Sequence, residues 1–182
     1  KWPSNIQIQF FRSIFLFLST VLFFYAISVL PLADSLTLMF FSPIIVTLLS
    51  AIFLKEKVGF KRWIAVFIGF LGALVVIRPG FNEINLATMA AMGAGISYAL
   101  YIVSTRKLSF ADSPLLTLIF TGLSGSIIIS IIVPWVWVPL SFNQWSLLIC
   151  LAAVGTIGHL LLILSLNFAE ASKLAPLGYF EI

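Results

Sequence analysis

Of 182 residues, 62% are hydrophobic and 9% charged, the formal net charge is +4 and the mean hydropathy is +1.18. A soluble domain carries about 25% charged residues, so no soluble class fits. At roughly 20 residues per crossing, the chain holds six or seven membrane spans with short loops and no extramembrane domain.

Charge-free apolar stretches run from Ser13 to Ala33, Ser35 to Leu54, Trp63 to Ile77 and Ile84 to Thr105. A further 57 residues, Ser113 to Ala169, lack Asp, Glu, Lys and Arg altogether and are interrupted only by the Pro, Trp and Asn cluster between Pro134 and Trp145. These segments are apolar all round, as a lipid solvent requires, and show none of the short alternating strands of a barrel. Helices are expected at Phe10 to Leu30, Leu36 to Leu54, Arg62 to Ile77, Leu86 to Thr105, Pro114 to Pro134 and Trp145 to Phe168, with a seventh starting at Leu174.

Alternating the loops between two sides places nine of the ten basic residues on one face, Lys1, Arg12, Lys55, Lys57, Lys61, Arg62, Arg106, Lys107 and Lys173, with only Arg78 on the other. That asymmetry marks the first face as cytoplasmic. It also accounts for the basic balance without a nucleic-acid partner. The opposite face carries Trp135, Trp137 and Trp145, suited to the interface. The third span is short, so Arg62 and Arg78 are expected to snorkel outward.

Small residues recur at spacings of three and four: Ala65, Gly69, Gly72 and Ala73, then Ala90, Ala91, Ala94 and Gly95. Gly122, Gly125 and Ser126 repeat the pattern, as do Ala152, Gly155, Thr156 and Gly158. Such seams let backbones approach closely, either in a fixed bundle or where helices slide. Pro43 in mid-span predicts a kink and a freed carbonyl. The single Cys150 reads as a small buried hydrophobe. No glycine-rich phosphate loop is present, one Cys and one His make no ordinary metal centre, and no Ser, His and Asp set lies at membrane depth.

Polar residues inside spans cost about 2.5 kcal/mol or more by insertion scales when charged, so each calls for a reason. Arg12 lies near the cytoplasmic end of the first span, where it either snorkels or binds substrate. His159, the only histidine, is either a neutral ring hydrogen-bonded to a neighbouring helix or a proton or substrate contact. Tyr98 and Tyr101 share a helical face and form an aromatic wall suited to a planar solute, or an interfacial pair. Glu181 falls about eight residues into the last apolar run, where a protonatable group suits proton coupling.

The run "AISVLPLADSLTLMFFSPIIVTLLSAIFLKEKVGFKRWIAVFIGFLGALVVIRPG", Ala26 to Gly80, resembles the half-repeat of EamA-type carriers in the drug/metabolite transporter superfamily. The resemblance rests on Pro31 to Ala33, the mid-helix Pro43, the Leu54-Lys55-Glu56 exit, and Gly69 and Gly72 in the following helix. "FAEASKLAPLGYFEI", Phe168 to Ile182, resembles the same junction in the other half. An offset of 138 pairs Ala33 with Ala171 and Pro43 with Glu181; four crossings separate the helices entering at Phe10 and Trp145, so an odd total of five relates the copies and the second is inverted.

The resemblance implies an all-α polytopic membrane protein, part of a ten-helix inverted-repeat (5+5) transporter bundle. Residues 1–80 would be the C-terminal part of the first repeat and residues 81–182 the N-terminal part of the second, with helices beyond both ends. It further implies a secondary transporter in a bacterial inner membrane that moves a small organic metabolite by alternating access. Such a carrier needs no cofactor, catalytic residue or metal. The cavity candidates are Arg12, Tyr98, Tyr101, His159, Tyr179 and Glu181. "ALYIVSTRKL" and "GHLLLILSL" loosely resemble riboflavin-type members. The rival readings are a membrane-embedded enzyme acting on lipid, with His159 and Glu181 as acid and base, and a scaffold without a solute cavity.

Overall fold

The computed structural model describes residues 3–77 and 85–181, with side chains left out at 76, 77 and 181. Arg78 lies outside the described residues, as does the side chain of Glu181. The elements are α1 (Ile6–Val29), α2 (Leu32–Met39), α3 (Ser42–Phe53), α4 (Phe60–Ile77), α5 (Leu86–Leu108), α6 (Pro114–Val136), α7 (Phe142–Phe168) and α8 (Ala171–Leu174), followed by a 3-10 segment (Ala175–Glu181). Among the described residues five stretches are long and apolar enough to cross a membrane: α1, α2 with α3, α5, α6 and α7. The protein is an all-α, multi-pass membrane protein. At 18 residues, α4 covers the short third stretch expected and is not among these five.

Helix starts lie upstream of the apolar runs because polar residues cap them. Asn5 accepts the Ile8 N–H at 3.0 Å, while Asn85 with Thr88 and Ser141 with Gln144 form reciprocal capping boxes. A loop was expected up to Leu36, yet α2 opens at Leu32, with Asp34 in its first turn, where the helix dipole favours a carboxylate. Lys55 takes a left-handed φ of 54° and ends α3, and the Leu54 and Glu56 amides both donate to Ser50 O at 3.1 and 3.2 Å.

The second span is broken rather than kinked. Pro43 has no N–H to give Met39 O, and the Ile44 amide donates to Phe41 O at 3.1 Å instead of Phe40 O. The freed Phe40 carbonyl accepts the Tyr179 hydroxyl at 3.2 Å. The seventh helix starts at Ala171, earlier than Leu174, and tightens to 3-10 at Ala175 because Pro176 cannot donate back to Ser172.

α5 is the centre of the bundle and packs against α1, α2, α3, α7 and α8. Its alanine face makes this possible. Ala91 and Ala94 are fully buried, Ser19 of α1 donates to Ala94 O at 2.9 Å, and a Cβ on Gly95 would lie 3.1 Å from Met39 O. α6 and α7 are largely exposed, and Cys150 is exposed on α7 rather than buried.

The seam on α4 differs from the expected one. Ala65 and Gly72 face outward, and Gly72 has open space around it, whereas Val66, Gly69, Phe70 and Ala73 face the 3-10 segment and the broken span. A Cβ on Gly69 would fall 2.3 Å from the Tyr179 ring. Gly69→Leu and Gly95→Leu should each lower stability by about 1–3 kcal/mol through overpacking, with Leu71→Ala, on an exposed face, near neutral. Thermal denaturation of the full-length protein in detergent checks this, and equal midpoints in the three variants would remove both seams.

Candidate functional site

Arg12 stands almost two turns inside α1 and is fully buried, so it does not snorkel. Its Nε donates to Gln9 Oε1 at 3.1 Å, and its Nη2 donates to Thr117 O at 2.6 Å and to Thr121 Oγ1 on α6. Its Nη1 is buried without a hydrogen-bond partner. Gln9 is itself held by Asp112 Oδ2 at 2.8 Å and Thr117 Oγ1 at 3.2 Å, while Asp112 Oδ1 accepts the Ser4 amide at 2.7 Å. A chain of hydrogen bonds therefore runs from a carboxylate at the bundle's end to a guanidinium within it.

Arg12 Cζ lies 5.4 Å from the centre of the Tyr101 ring. Tyr101 stacks on Tyr98 at 5.9 Å and meets the edge of His159 at 6.0 Å and 90°. Tyr101 and His159 border a cavity of about 630 Å³ between α1, α5, α6 and α7, whose wall also includes Ser13, Thr20, Thr121 and Gly125, with Arg12 behind the Tyr101 ring. Gly122 and Gly125, which line it, have open space where a Cβ would be, so the small residues of α6 leave room here rather than a close seam. His159 makes no hydrogen bond to a neighbouring helix among the described residues; its ring contact is with Tyr101.

The other candidates lie elsewhere. Tyr98 lines a second, mostly apolar cavity of about 320 Å³ beside the break in the second span, together with Pro43, Ile102 and Leu166. Tyr98 and Tyr101 thus form the partition between two chambers. Tyr179 borders neither and instead ties the 3-10 segment to Phe40. Glu181 ends that segment. Gln9, Asp112, Thr117 and Thr121 escaped the sequence reading; the one available signal was Gln9 lying one helical turn before Arg12.

A second polar cluster closes the end where the basic residues gather. Glu56 accepts the Ala171 and Ser172 amides at 3.1 and 3.0 Å and the Ser172 hydroxyl at 2.6 Å, and pairs with Arg106 at 3.5 Å. Arg62 pairs with Glu170 at 2.6 Å and donates to Ser172 Oγ at 2.7 Å, so its head is held by partners rather than simply reaching water. Arg106 also donates to Leu166 O at 2.6 Å. Among the described residues no three His, Cys, Asp or Glu side chains are grouped to hold a metal.

Fold and site together define a multi-pass helical membrane protein with a polar and aromatic chamber between its helices. Residues 1–78 match the EamA-like transporter family. A riboflavin transporter of Vibrio cholerae is 38% identical over 84 residues, covering 46% of this chain and 28% of that protein. An S-adenosylmethionine uptake transporter of Rickettsia bellii is 22% identical over 96% of this chain and 60% of its own length. The pseudopaline exporter CntI of Pseudomonas aeruginosa is 29% identical over 89% and 58%. The chain spans from about a quarter to three fifths of these relatives. No solved structure matches it.

Burial works to raise the Glu170 carboxyl, but the hydrogen bond and charge of Arg62, with Lys173, outweigh it and hold the group below its usual range. At Asp112 burial is likewise outweighed, by the Ser4 amide, Gln9 and the charge of Arg12. A carboxyl with a depressed folded pKa stabilises above its unfolded value and loses that contribution as pH falls through the folded one. Thermal stability should therefore drop from about pH 4.3 downward. Glu170→Gln and Asp112→Asn should each flatten part of that slope; an unchanged slope in both assigns the acid sensitivity to other groups.

Proposed function

We propose that this chain is part of a secondary carrier of the EamA type that moves a small organic metabolite by alternating access, with the cavity between α1, α5, α6 and α7 as its solute chamber. The observation that carries this reading is the chamber itself: hydroxyls, aromatic rings and a buried guanidinium gathered inside an apolar bundle, where polar groups are retained for function. A scaffold would have a dry, filled interior. The family match and the transporter names of the relatives support the same reading over the lipid-acting enzyme. Within it, Arg12, Tyr101 and His159 serve the main chamber and Tyr98 the partition, while Tyr179 and Glu181 belong to the element beside the broken span.

The division into residues 1–80 and 81–182 belongs to the same proposal. The ends of α1 and α7, and the starts of α2 and α8, are related within one residue by the offset of 138. Both α2 and α8 open units that break after a few turns or less, as expected of inverted copies meeting at a transport site.

Uptake of a metabolite panel into vesicles holding the full-length protein, with and without a proton gradient, tests the reading. Gly122→Phe places a ring in the chamber, where no atom lies within 4 Å of the new Cβ. It should cut uptake at least tenfold while leaving thermal stability unchanged. Undiminished uptake in a stable Gly122→Phe protein would move the chamber elsewhere, and uptake of nothing by the wild type would remove the carrier.

A further inference from the structure

We infer that the chamber selects solutes carrying an oxyanion, a carboxylate or phosphate, next to a planar ring. This rests on the carrier reading and names what such a carrier takes. Three ion pairs are formed among the described residues, and none includes Arg12. The acceptors of Arg12 are neutral: an amide oxygen, a backbone carbonyl and a hydroxyl. Asp112 orients the group through Gln9 and its charge acts on Arg12, but it sits part-exposed at the bundle's end and forms no ion pair with the fully buried guanidinium.

The unmet hydrogen-bonding capacity points the same way. Arg12 Nη1 and Tyr101 Oη are both buried and neither makes a well-formed hydrogen bond, although the guanidinium and the phenol interact with each other. The first only donates, the second can donate, and buried polar groups are rarely left unmatched. A donor on the cavity wall at Tyr101, with a second behind it at Arg12, is matched by a group with several acceptor oxygens. Every polar side chain named in the cavity wall is neutral or basic: Ser13, Thr20, Tyr101, Thr121, Ser126, Thr156 and His159, with no carboxylate among them. The Tyr101 ring forms wall and cover at once, so the anion reaches Nη1 when that ring turns. The Tyr101 and His159 rings, which both line the chamber, then offer aromatic surface to a planar group attached to the anion.

Matched probes test this with the purified full-length protein: benzoate against benzamide, indole-3-acetate against indole-3-acetamide, and phenyl phosphate, with binding read from thermal shift and tryptophan fluorescence. The anions should bind at least tenfold more tightly than their amides, phenyl phosphate against the carboxylates telling which oxyanion is preferred. Arg12→Gln should abolish the preference and Arg12→Lys keep part of it. Because Arg12 also holds α6, the comparison of anion with amide in the wild type stands on its own if Arg12→Gln does not fold. Equal binding of anions and amides, or a preference that survives Arg12→Gln, overturns the inference. So does uptake confined to neutral or cationic solutes in the vesicle panel, which leaves the carrier standing, whereas uptake of nothing overturns carrier and anion selectivity together.

Discussion

Between helices in lipid there is no hydrophobic gain from association, so the bundle depends on how closely backbones can approach α5. Gly95 admits the Met39 carbonyl, and Ala91 and Ala94 admit α1. With that face filled, α5 is fixed between the two sides of the molecule, and Tyr98 and Tyr101 are carried to the boundary between the chambers. Small residues on α6 have the opposite effect. Nothing fills the space beside Gly122 or Gly125, so the same residue type that closes one interface opens a cavity at the next. The facing helix, not the glycine, decides which occurs.

The broken span shows how one missing hydrogen bond propagates. Pro43 releases carbonyls that a lipid environment cannot hydrate, and each needs a neighbour. Phe40 O takes the Tyr179 hydroxyl, and the ring that delivers it fills the notch at Gly69. Met39 O turns to the one residue of α5 on that face without a side chain in the way. Thus α4, the 3-10 segment and α5 are all registered against a single proline. Pro43 also lines the smaller cavity that this break leaves.

The spans themselves were legible because each had to satisfy its own backbone inside an apolar run. Their ends were less so: Asn5 and Ser141 read as loop residues but act as caps, which lengthens α1 and α7 beyond the apolar stretch. Arg12, His159 and the tyrosine pair stood out because polar groups at depth are expensive. Their supports did not. Thr121 bonds its own helix at Thr117 O, as membrane threonines commonly do, and only the approach of α1 makes it a partner of Arg12. Asp112 looked like an ordinary loop acid until Ser4 and Gln9 converged on it. Choosing Gly69 over Gly72 required knowing where Tyr179, far along the chain, would lie.

At the basic end, two of the ion pairs cross the proposed division at residue 80. Glu56 of the first part pairs with Arg106 of the second, and Arg62 of the first with Glu170 of the second. Each part gives one acid and one base to the other, and Glu56 also caps the start of α8. The exchange holds the two parts together at this end without filling the space between them at depth, where the chamber lies. A partly exposed pair such as Arg62–Glu170 contributes on the order of 0.2–1 kcal/mol, while Glu56 and Arg106 are more deeply buried. For a carrier of the proposed kind that strength is suitable: conformers separated by a few kcal/mol remain interconvertible by differential solute binding. A fully packed apolar contact of the kind α5 makes with α1 would be much harder to open. Closure at the polar end and rigidity along α5 are thus separate properties, one built from exchangeable charges and the other from backbones in contact.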